Sequence, residues 1–187
     1  TTDDANGKII NSSSYIPSKK EIINKINNFK GYINQTPPLV CANKINGKAA
    51  YKLFREGKNY KLTSKQVYVH KINLLNSENK YFSEFEIECG KGFYIRSFAR
   101  DLAISLGAFA HINSLKRTKV GLFLENNSIL LDDLLKIGQT LTEFNCIHSS
   151  FSMLDDILAY EIERKEELNT LSLGRSIYIN EDKLIKP

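Results

Sequence analysis

The sequence predicts an α+β fold, because segments with the period of a strand and segments with the period of a helix both occur along it. Apolar and acidic residues alternate from Phe85 to Cys89, which is typical of a half-buried strand. Apolar residues then recur at helical spacing from Ile95 to Leu106. With 187 residues and a hydrophobic content of 42%, the chain is long enough to bury the core of one medium-sized domain.

Local signals place further elements on both sides of this strand and helix. The first predicted helix begins at Ser18, where the spacing Ser-x-x-Glu lets Ser18 and Glu21 cap the helix end reciprocally. The other predicted elements are strands over 39–45 and 66–75, a short helix over 48–57, an extended run over 111–123, and helices over 128–138 and 152–168. The apolar alternation of the second strand slips between Val69 and Ile72, which indicates a β-bulge or a displaced strand boundary.

The net charge of +5 is unevenly distributed. Residues 1–122 hold 20 basic and 9 acidic residues, whereas residues 123–187 hold 6 basic and 12 acidic residues. Within 41–71, eight basic residues accompany a single acid, Glu56. Such a stretch suggests a polyanionic partner, because Lys and Arg that neutralise phosphates release counterions. A solvated lysine-rich face explains the charge equally well, so charge alone leaves both interpretations open.

Several classes of protein are excluded by composition. The three cysteines contain no C-x-x-C pair and lie far in sequence from the three histidines, so neither a disulfide framework nor a structural metal site is expected. The chain has no apolar run long enough to span a membrane, and its first ten residues are polar and acidic. The interpretation is therefore a soluble, cytoplasmic protein with no membrane association.

Arg96 is the first candidate functional residue. It falls in the first turn of the helix predicted from Ile95, directly after the strand that ends at Cys89. Rigid elements on both sides would position its side chain, and such junctions often carry functional groups. The intervening Gly90 and Gly92 lack the patterns of nucleotide-binding loops and are read as supplying a tight strand-to-helix turn.

Three stretches carry a family resemblance. Residues 89–123, "CGKGFYIRSFARDLAISLGAFAHINSLKRTKVGLF", resemble the bacterial TruB-type tRNA pseudouridine synthases, whose motif reads C-x-K-G-x-Y-I-R-x-L-A-x-D-L-G, then G-x-x-A-H-(I/L)-x-x-L-x-R-T, then V-G-x-F. Residues 29–57 resemble that family's Q-x-P-P and K-x-x-G-x-x-x-Y-x-x-A-R-x-G segment, and residues 1–10 its T-D-(S/T)-x-D-A-x-G-x-(V/I) segment. The resemblance extends from residue 1 to about residue 178, in the family's order.

The resemblance implies a pseudouridine synthase fold with a mixed, mainly antiparallel sheet flanked by helices, incomplete at its N-terminus. It implies isomerisation of a uridine in the T-loop of tRNA at position 55, in which uracil is detached from its ribose, turned and rejoined through carbon. The family uses no cofactor and no metal. Because the base must leave its stack before this chemistry, the family needs a pocket that holds the flipped uracil.

Site residues follow from the same motifs. Tyr94 matches the tyrosine that lines the uracil pocket, and Arg96 matches the arginine that pairs with the catalytic aspartate. That aspartate belongs to a G-x-L-D-x-x-A-x-G motif that precedes the family's T-D segment, and these 187 residues do not contain the motif. Arg96 is therefore expected to have no carboxylate to position, and the chain alone is expected to be inactive.

The basic stretch also matches a family feature. Residues 39–66 correspond to an insertion that forms a mobile RNA-binding thumb in bacterial members, and Lys44, Lys48, Lys52 and Arg55 are the predicted RNA contacts within it. Leu115 corresponds to a position that borders the uracil, although an ordinary apolar strand residue is an equal alternative, and Lys116 and Arg117 follow as further substrate-binding candidates. Asn43 occupies a position that is usually apolar in the family.

The resulting domain prediction is a catalytic domain over 1–160, of which this chain holds the C-terminal two-thirds, and the start of a PUA-like RNA-binding domain over 161–187. The expected partner is the T-loop and arm of tRNA, bound by a monomer. Two alternatives stay open: a non-catalytic tRNA-binding module, and a structural α+β domain that binds no RNA.

Overall fold

The computed structural model describes residues 1–78, 81–137, 157, 159–180, 182 and 184–185. The chain divides into two compact units, Thr1–Leu115 and Lys116–Pro187. In the first unit the elements are α1 (Lys19–Ile26), a 3-10 turn (Asn27–Phe29), β1 (Gly31–Gln35), β2 (Lys44–Ile45), β3 (Lys48–Ala49), α2 (Ala50–Arg55), β4 (Lys65–Asn76), β5 (Glu84–Cys89) and α3 (Ile95–Ser105). Helices therefore accompany antiparallel strands, and the predicted α+β class is confirmed.

Helix α1 begins where its capping signal predicts. The Glu21 N–H donates to Ser18 Oγ at 3.4 Å, and the Ser18 N–H donates to Glu21 Oε2 at 2.8 Å. These two bonds satisfy amide groups that a helix end otherwise leaves without partners. Ile22 and Ile26, one turn apart, are buried on the face that the helix turns to the core.

A three-stranded antiparallel sheet with the order β1-β4-β5 forms the centre of the first unit. The register between β4 and β5 shifts between Val69 and Lys71, where the apolar alternation slips. Because β4 continues on both sides of the shift, the slip marks an irregularity of the bulge type within the strand and not a strand boundary. Val67, Val69 and Ile72 are buried along β4, and the bulge keeps the apolar residues on either side of it directed to the core.

The core of this unit lies between the sheet and helices α1 and α3. Phe98 of α3 is 2% exposed, and its ring packs edge-on against Phe29 and Phe85 with centroid distances of 5.5 and 5.6 Å. Edge-to-face geometry places the positive ring edge against the negative ring face of its neighbour. Apolar residues of α1, β4 and α3 complete the cluster: Ile22, Ile26, Val69, Ile72 and Leu102.

The predicted strand over 39–45 is mostly wrong, because only Lys44–Ile45 pairs as a strand. The backbone before it has another role: the Tyr51 N–H donates to the Cys41 carbonyl at 3.0 Å, and the Ala50 N–H donates to the Asn43 carbonyl at 2.8 Å. Residues 41–43 thus satisfy two of the backbone amides that the start of α2 leaves free. The short helix predicted over 48–57 is confirmed as α2.

In the second unit the elements are β6 (Lys119–Val120), β7 (Phe123–Leu124), a 3-10 turn (Glu125–Asn127), α4 (Leu131–Ile137), β8 (Ala159–Tyr160), α5 (Lys165–Ser172) and β9 (Leu184–Ile185).

The predicted extended run over 111–123 is interrupted, because Gly121 adopts a φ of +56° and turns the chain between β6 and β7. The helix predicted over 152–168 is wrong at Ala159–Tyr160, which pairs with β9, and correct from Lys165. Residues 152–156 and 158 lie outside the described part of the chain. The division into a catalytic domain over 1–160 and an accessory domain from 161 stays a prediction.

Candidate active site

The candidate site surrounds the start of helix α3. Gly92 has a φ of +87°, a left-handed conformation that glycine adopts without strain, and it turns the chain from β5 toward the helix. Tyr94 is the N-cap residue and has an extended backbone. Arg96 lies in the first helical turn, at the junction that the sequence predicted.

The main chain of Tyr94 is held by a buried side chain, Gln35, the last residue of β1. The Tyr94 N–H donates to Gln35 Oε1 at 2.8 Å, and Gln35 Nε2 donates to the Tyr94 carbonyl at 3.1 Å. Gln35 is only 3% exposed, and the pairing satisfies both ends of its amide. The start of α3 is thereby fixed to the end of β1, across 59 positions of sequence.

The phenol of Tyr94 points to the segment that precedes α2. Its hydroxyl donates to Asn43 Oδ1 at 3.2 Å. Burial raises the pKa of Tyr94 above its ordinary value, nearby Cys41 adds to the rise, and the positive charge of Arg96 only partly opposes it. The hydroxyl therefore keeps its proton at neutral pH and acts as a hydrogen-bond donor.

Arg96 contacts the N-terminal loop. Its Nη1 donates to the Thr2 carbonyl at 3.1 Å and to Asp4 Oδ2 at 3.3 Å. The hydrogen bond from Thr2 Oγ1 to Asp4 Oδ1, at 2.6 Å, is the main reason that the pKa of Asp4 is lowered despite partial burial, with further contributions from Asn6 and Arg96. Arg96 thus has a carboxylate partner, contrary to the expectation that it would have none in this chain.

Both of these Arg96 contacts use Nη1. A guanidinium carries five N–H donors in a planar fork, and among the described residues Nε and Nη2 make no further hydrogen bond. The side chain as a whole is 26% exposed, and the edge formed by Nε and Nη2 has no partner among the described residues. That edge can bind one more carboxylate in the bidentate geometry that Arg favours.

Arg100, one helical turn beyond Arg96, is a residue that the sequence analysis missed. Its three nitrogens donate to Asp101 Oδ1 at 2.8 Å, to Asp3 Oδ2 at 2.9 Å and to the Thr36 carbonyl at 2.9 Å. Burial disfavours its charge, yet hydrogen bonds and the negative charge of Asp101 and Asp3 outweigh this effect and raise the pKa of Arg100. Each of the three nitrogens of Arg100 therefore has a hydrogen-bond partner, whereas among the described residues only Nη1 of Arg96 has one.

The N-terminal loop presents consecutive carboxylates to these two arginines. Asp3 adopts a φ of +61°, a left-handed conformation that is uncommon outside glycine. Its backbone is held by Ile112, whose N–H donates to the Asp3 carbonyl at 3.1 Å. Spacing along the sequence could not have paired these acids with the two arginines, because the partners lie 92 and 97 positions apart.

The predicted RNA contacts Lys44, Lys48, Lys52 and Arg55 all lie on the β2-β3 hairpin and helix α2, and all four are exposed. Lys52 and Arg55 share one face of the helix, and the Arg55 guanidinium lies 5.6 Å from the ring centre of Tyr51. Glu56 pairs with Lys58 at 2.7 Å and approaches Lys48 at 3.7 Å, which lowers its pKa. Net positive charge remains, because Glu56 is the single acid of 41–71.

Three other predicted site residues lie at the junction of the two compact units in the sequence. Leu115, the last residue of the first unit, is 60% exposed. Lys116 pairs with Glu125 at 2.6 Å, and Arg117 is exposed. These contacts do not test a role in substrate binding, which stays a prediction for all three residues.

The structure also bears on metals and membranes. Among the described residues, no group of three or more His, Cys, Asp or Glu side chains is placed to hold a metal ion. Within the same ranges, none of the helices combines the length and the apolar character that a membrane span requires.

Comparison with known proteins identifies the family. A model described as TruB family pseudouridylate synthase (N terminal domain) matches residues 1–95. The chain is 36% identical over 181 residues to the tRNA pseudouridine synthase B of Agrobacterium fabrum, which covers 97% of this chain and 54% of that protein. It is 38% identical over 187 residues to the tRNA pseudouridine synthase B of Anaplasma marginale, which covers 98% of this chain and 60% of that protein.

A solved structure agrees with these relatives. The fold matches a chain of the crystal structure of a Cbf5-Nop10-Gar1 complex with a TM-score of 0.51 and 28% identity, over 67% of this chain and 32% of that chain. The chain thus spans little more than half the length of the curated relatives described above. The chain belongs to the TruB family of pseudouridylate synthases.

Proposed function

We propose that the full-length protein is a tRNA pseudouridine synthase that acts on a uridine of the T-loop, at position 55. The observation that carries the proposal is Arg96. It is the arginine of the family motif, it is fixed at the start of α3, and its Nε and Nη2 make no hydrogen bond among the described residues. Relatives named tRNA pseudouridine synthase B match almost the whole chain, which supports this activity.

In the proposed reaction the bond between uracil N1 and ribose C1′ breaks and a bond between uracil C5 and C1′ forms. The proton leaves C5 and a proton is gained at N1, so the base is isomerised with no atom added or lost. The catalytic carboxylate would come from a residue of the full-length protein outside these 187 residues. Arg96 would hold it ionised and aimed through Nε and Nη2, because a bidentate pair with Arg favours the charged carboxylate.

Tyr94 would line the pocket that receives the flipped uracil. The phenol is neutral at pH 7, and burial raises its pKa further, so the ring can contact the base without adding a negative charge beside the catalytic carboxylate. Leu115 would border the same base. The exposure of its apolar side chain supports this role. Lys116 and Arg117 would contact the RNA backbone.

Residues 39–66 would form the RNA-binding thumb, and residues 161–187 would begin a PUA-like accessory domain. The exposed cluster of Lys44, Lys48, Lys52 and Arg55 supports a phosphate-contacting surface on the hairpin and α2. The proposal also includes recognition of the T-arm by a monomeric, cytoplasmic protein.

The test is nucleoside analysis of tRNA transcripts after incubation with the full-length protein. One pseudouridine per transcript is expected. Replacing the T-loop uridine at position 55 by cytidine should abolish the product, whereas replacing a uridine of the anticodon loop should leave it unchanged. Tight binding of tRNA with no product under any condition would instead support the alternative of a non-catalytic tRNA-binding module.

A further inference from the structure

We propose that Asn43 is a positioning residue that orients the Tyr94 side chain and links segment 39–66 to the wall of the uracil pocket. The inference rests on the proposed function, because it assigns Asn43 a part in that reaction. It concerns an amide that the motif leaves unassigned, and the observations that carry it are the contacts at the two ends of Tyr94.

Tyr94 is fixed at both ends by amide side chains from different parts of the chain. The Gln35 amide pairs with the backbone N–H and carbonyl of Tyr94, and this pairing fixes the position of the Tyr94 main chain. Asn43 accepts the hydrogen bond from its hydroxyl, and this contact sets where the ring points. A ring that lines a pocket is useful only when its direction is fixed, because the reacting groups must be placed within fractions of an ångström.

Asn43 is itself anchored, so it can hold Tyr94. The Ala50 N–H donates to the Asn43 carbonyl at 2.8 Å, at the start of α2. The Tyr51 N–H donates to the Cys41 carbonyl at 3.0 Å, and Cys41 is buried. Two backbone hydrogen bonds therefore tie the segment around Asn43 to the first turn of α2.

Helix α2 carries Lys52 and Arg55 on one exposed face. RNA bound to that face would restrain α2, and the backbone bonds would carry the restraint to Asn43 and then to the Tyr94 hydroxyl. Asn43 would therefore make the direction of the Tyr94 ring depend on whether RNA is bound to segment 39–66. The Asn43 effect should therefore appear in the chemical step and not in RNA affinity.

The test is a double-mutant cycle in the full-length protein, with Asn43→Ala, Tyr94→Phe and the double variant, measured as kcat, KM and the Kd for tRNA. Each single variant should lower kcat by about threefold to tenfold, the range for one neutral hydrogen bond. The double variant should be no slower than the slower single variant, because both changes remove the same bond. The matched control is Asn28→Ala, an exposed asparagine outside the site, which should leave kcat unchanged.

Two outcomes of the cycle would overturn the inference. Losses that multiply in the double variant would mean that Asn43 and Tyr94 act independently. A rise in KM and Kd with unchanged kcat would mean that Asn43 is simply an RNA contact.

A measurement without catalysis separates this inference from the proposed function. In protein labelled with ¹³C-tyrosine, the Tyr94 signal is the one lost in Tyr94→Phe. Asn43→Ala should shift that signal and Asn28→Ala should not, whether or not the wild-type protein forms pseudouridine. An unshifted Tyr94 signal in Asn43→Ala would refute the positioning role even if the enzyme is active.

Discussion

At the scale of single residues, the local sequence pattern predicts where the side chains of the site lie in the chain. It does not predict which residues they contact. Arg96 could be placed at a strand-to-helix junction from sequence, because the alternation before it and the helical spacing after it are local signals. Its partners, Thr2 and Asp4, are more than 90 positions away in the chain. No spacing rule identifies such contacts, which arise only when the N-terminal loop docks beside Ile112.

We predict that Arg96→Lys in the full-length protein lowers kcat by roughly 100-fold while changing the Kd for tRNA by less than about threefold. A lysine keeps the charge, but it cannot supply the planar fork that aims a carboxylate. Single-turnover kinetics and filter binding on the same tRNA measure the two effects. Lys19→Arg, at an exposed position of α1 outside the proposed RNA-binding segments, is the control. Equal losses of rate and affinity would identify Arg96 as a phosphate contact.

At the scale of elements, the helices with strong local signals were predicted well and the short strands were not. The capping pair at Ser18, the helical spacing after Ile95 and the slip in β4 each depend on neighbouring residues, and all three are confirmed. The pairs β6-β7 and β8-β9 contain two residues per strand, and β8 and β9 lie far apart in sequence. Pairing between remote short segments leaves almost no periodic signal.

The capping pair gives α1 a defined dependence on pH. Hydrogen bonds from the Ser18 hydroxyl, the Tyr15 hydroxyl and the Ser18 N–H lower the pKa of Glu21 from its model-compound value of 4.5 to about 2. A lowered pKa in the folded state means that ionised Glu21 contributes stability above pH 4.5, and that this contribution is lost as the pH falls toward 2.

We therefore predict that Glu21→Gln unfolds more readily than wild type at pH 7 and that the two proteins converge as the pH is lowered from 4.5 to about 2. Urea unfolding across this pH range measures the difference in the free energy of unfolding between the two proteins. The titration of all other groups cancels in this difference. Glu78→Gln, an exposed substitution outside α1, is the control and should differ little from wild type at any pH. A difference between Glu21→Gln and wild type that persists at pH 2 would contradict the role of the ionised carboxylate.

The basic residues of the β2-β3 hairpin and α2 should determine how strongly tRNA binding depends on salt. Replacing Lys44, Lys48 and Lys52 together by Gln should weaken tRNA binding and reduce the slope of log affinity against log salt by about 2, because each lost phosphate contact removes roughly 0.7 to 0.9 of slope. The control replaces Lys19, Lys20 and Lys30, which are also exposed but lie outside segment 39–66. An equal change in both triple variants would mean that net charge, and not this surface, governs affinity.

At the scale of the whole molecule, the core of the first compact unit joins the elements that position the site. Helices α1 and α3 pack on the same sheet, and Phe98 contacts aromatic rings from both sides. The existence of this core was predictable from apolar periodicity. The edge-to-face packing of its rings was not, since it depends on the crossing of elements that are distant in sequence.

Phe98→Ala should lower the free energy of unfolding by about 3–5 kcal/mol, because it removes a buried ring and leaves a cavity. Phe82→Ala, at a position 58% exposed, should change it by less than about 0.5 kcal/mol. Denaturant unfolding compares the two variants. If Phe98→Ala does not fold, Phe98→Leu supplies a measurable loss in the free energy of unfolding. A loss no larger than that of Phe82→Ala would contradict the role of Phe98 in stabilising the core.

We propose that Arg96 and Tyr94 belong to an active site whose catalytic carboxylate is supplied by the rest of the full-length protein. The most direct measurement compares pseudouridine formation by the full-length protein and by the 187-residue chain on the same tRNA, with binding of tRNA measured for both. We expect both proteins to bind tRNA and only the full-length protein to form pseudouridine. Turnover by the 187-residue chain alone would contradict it, and would direct attention to Asp4, the carboxylate that Arg96 already holds.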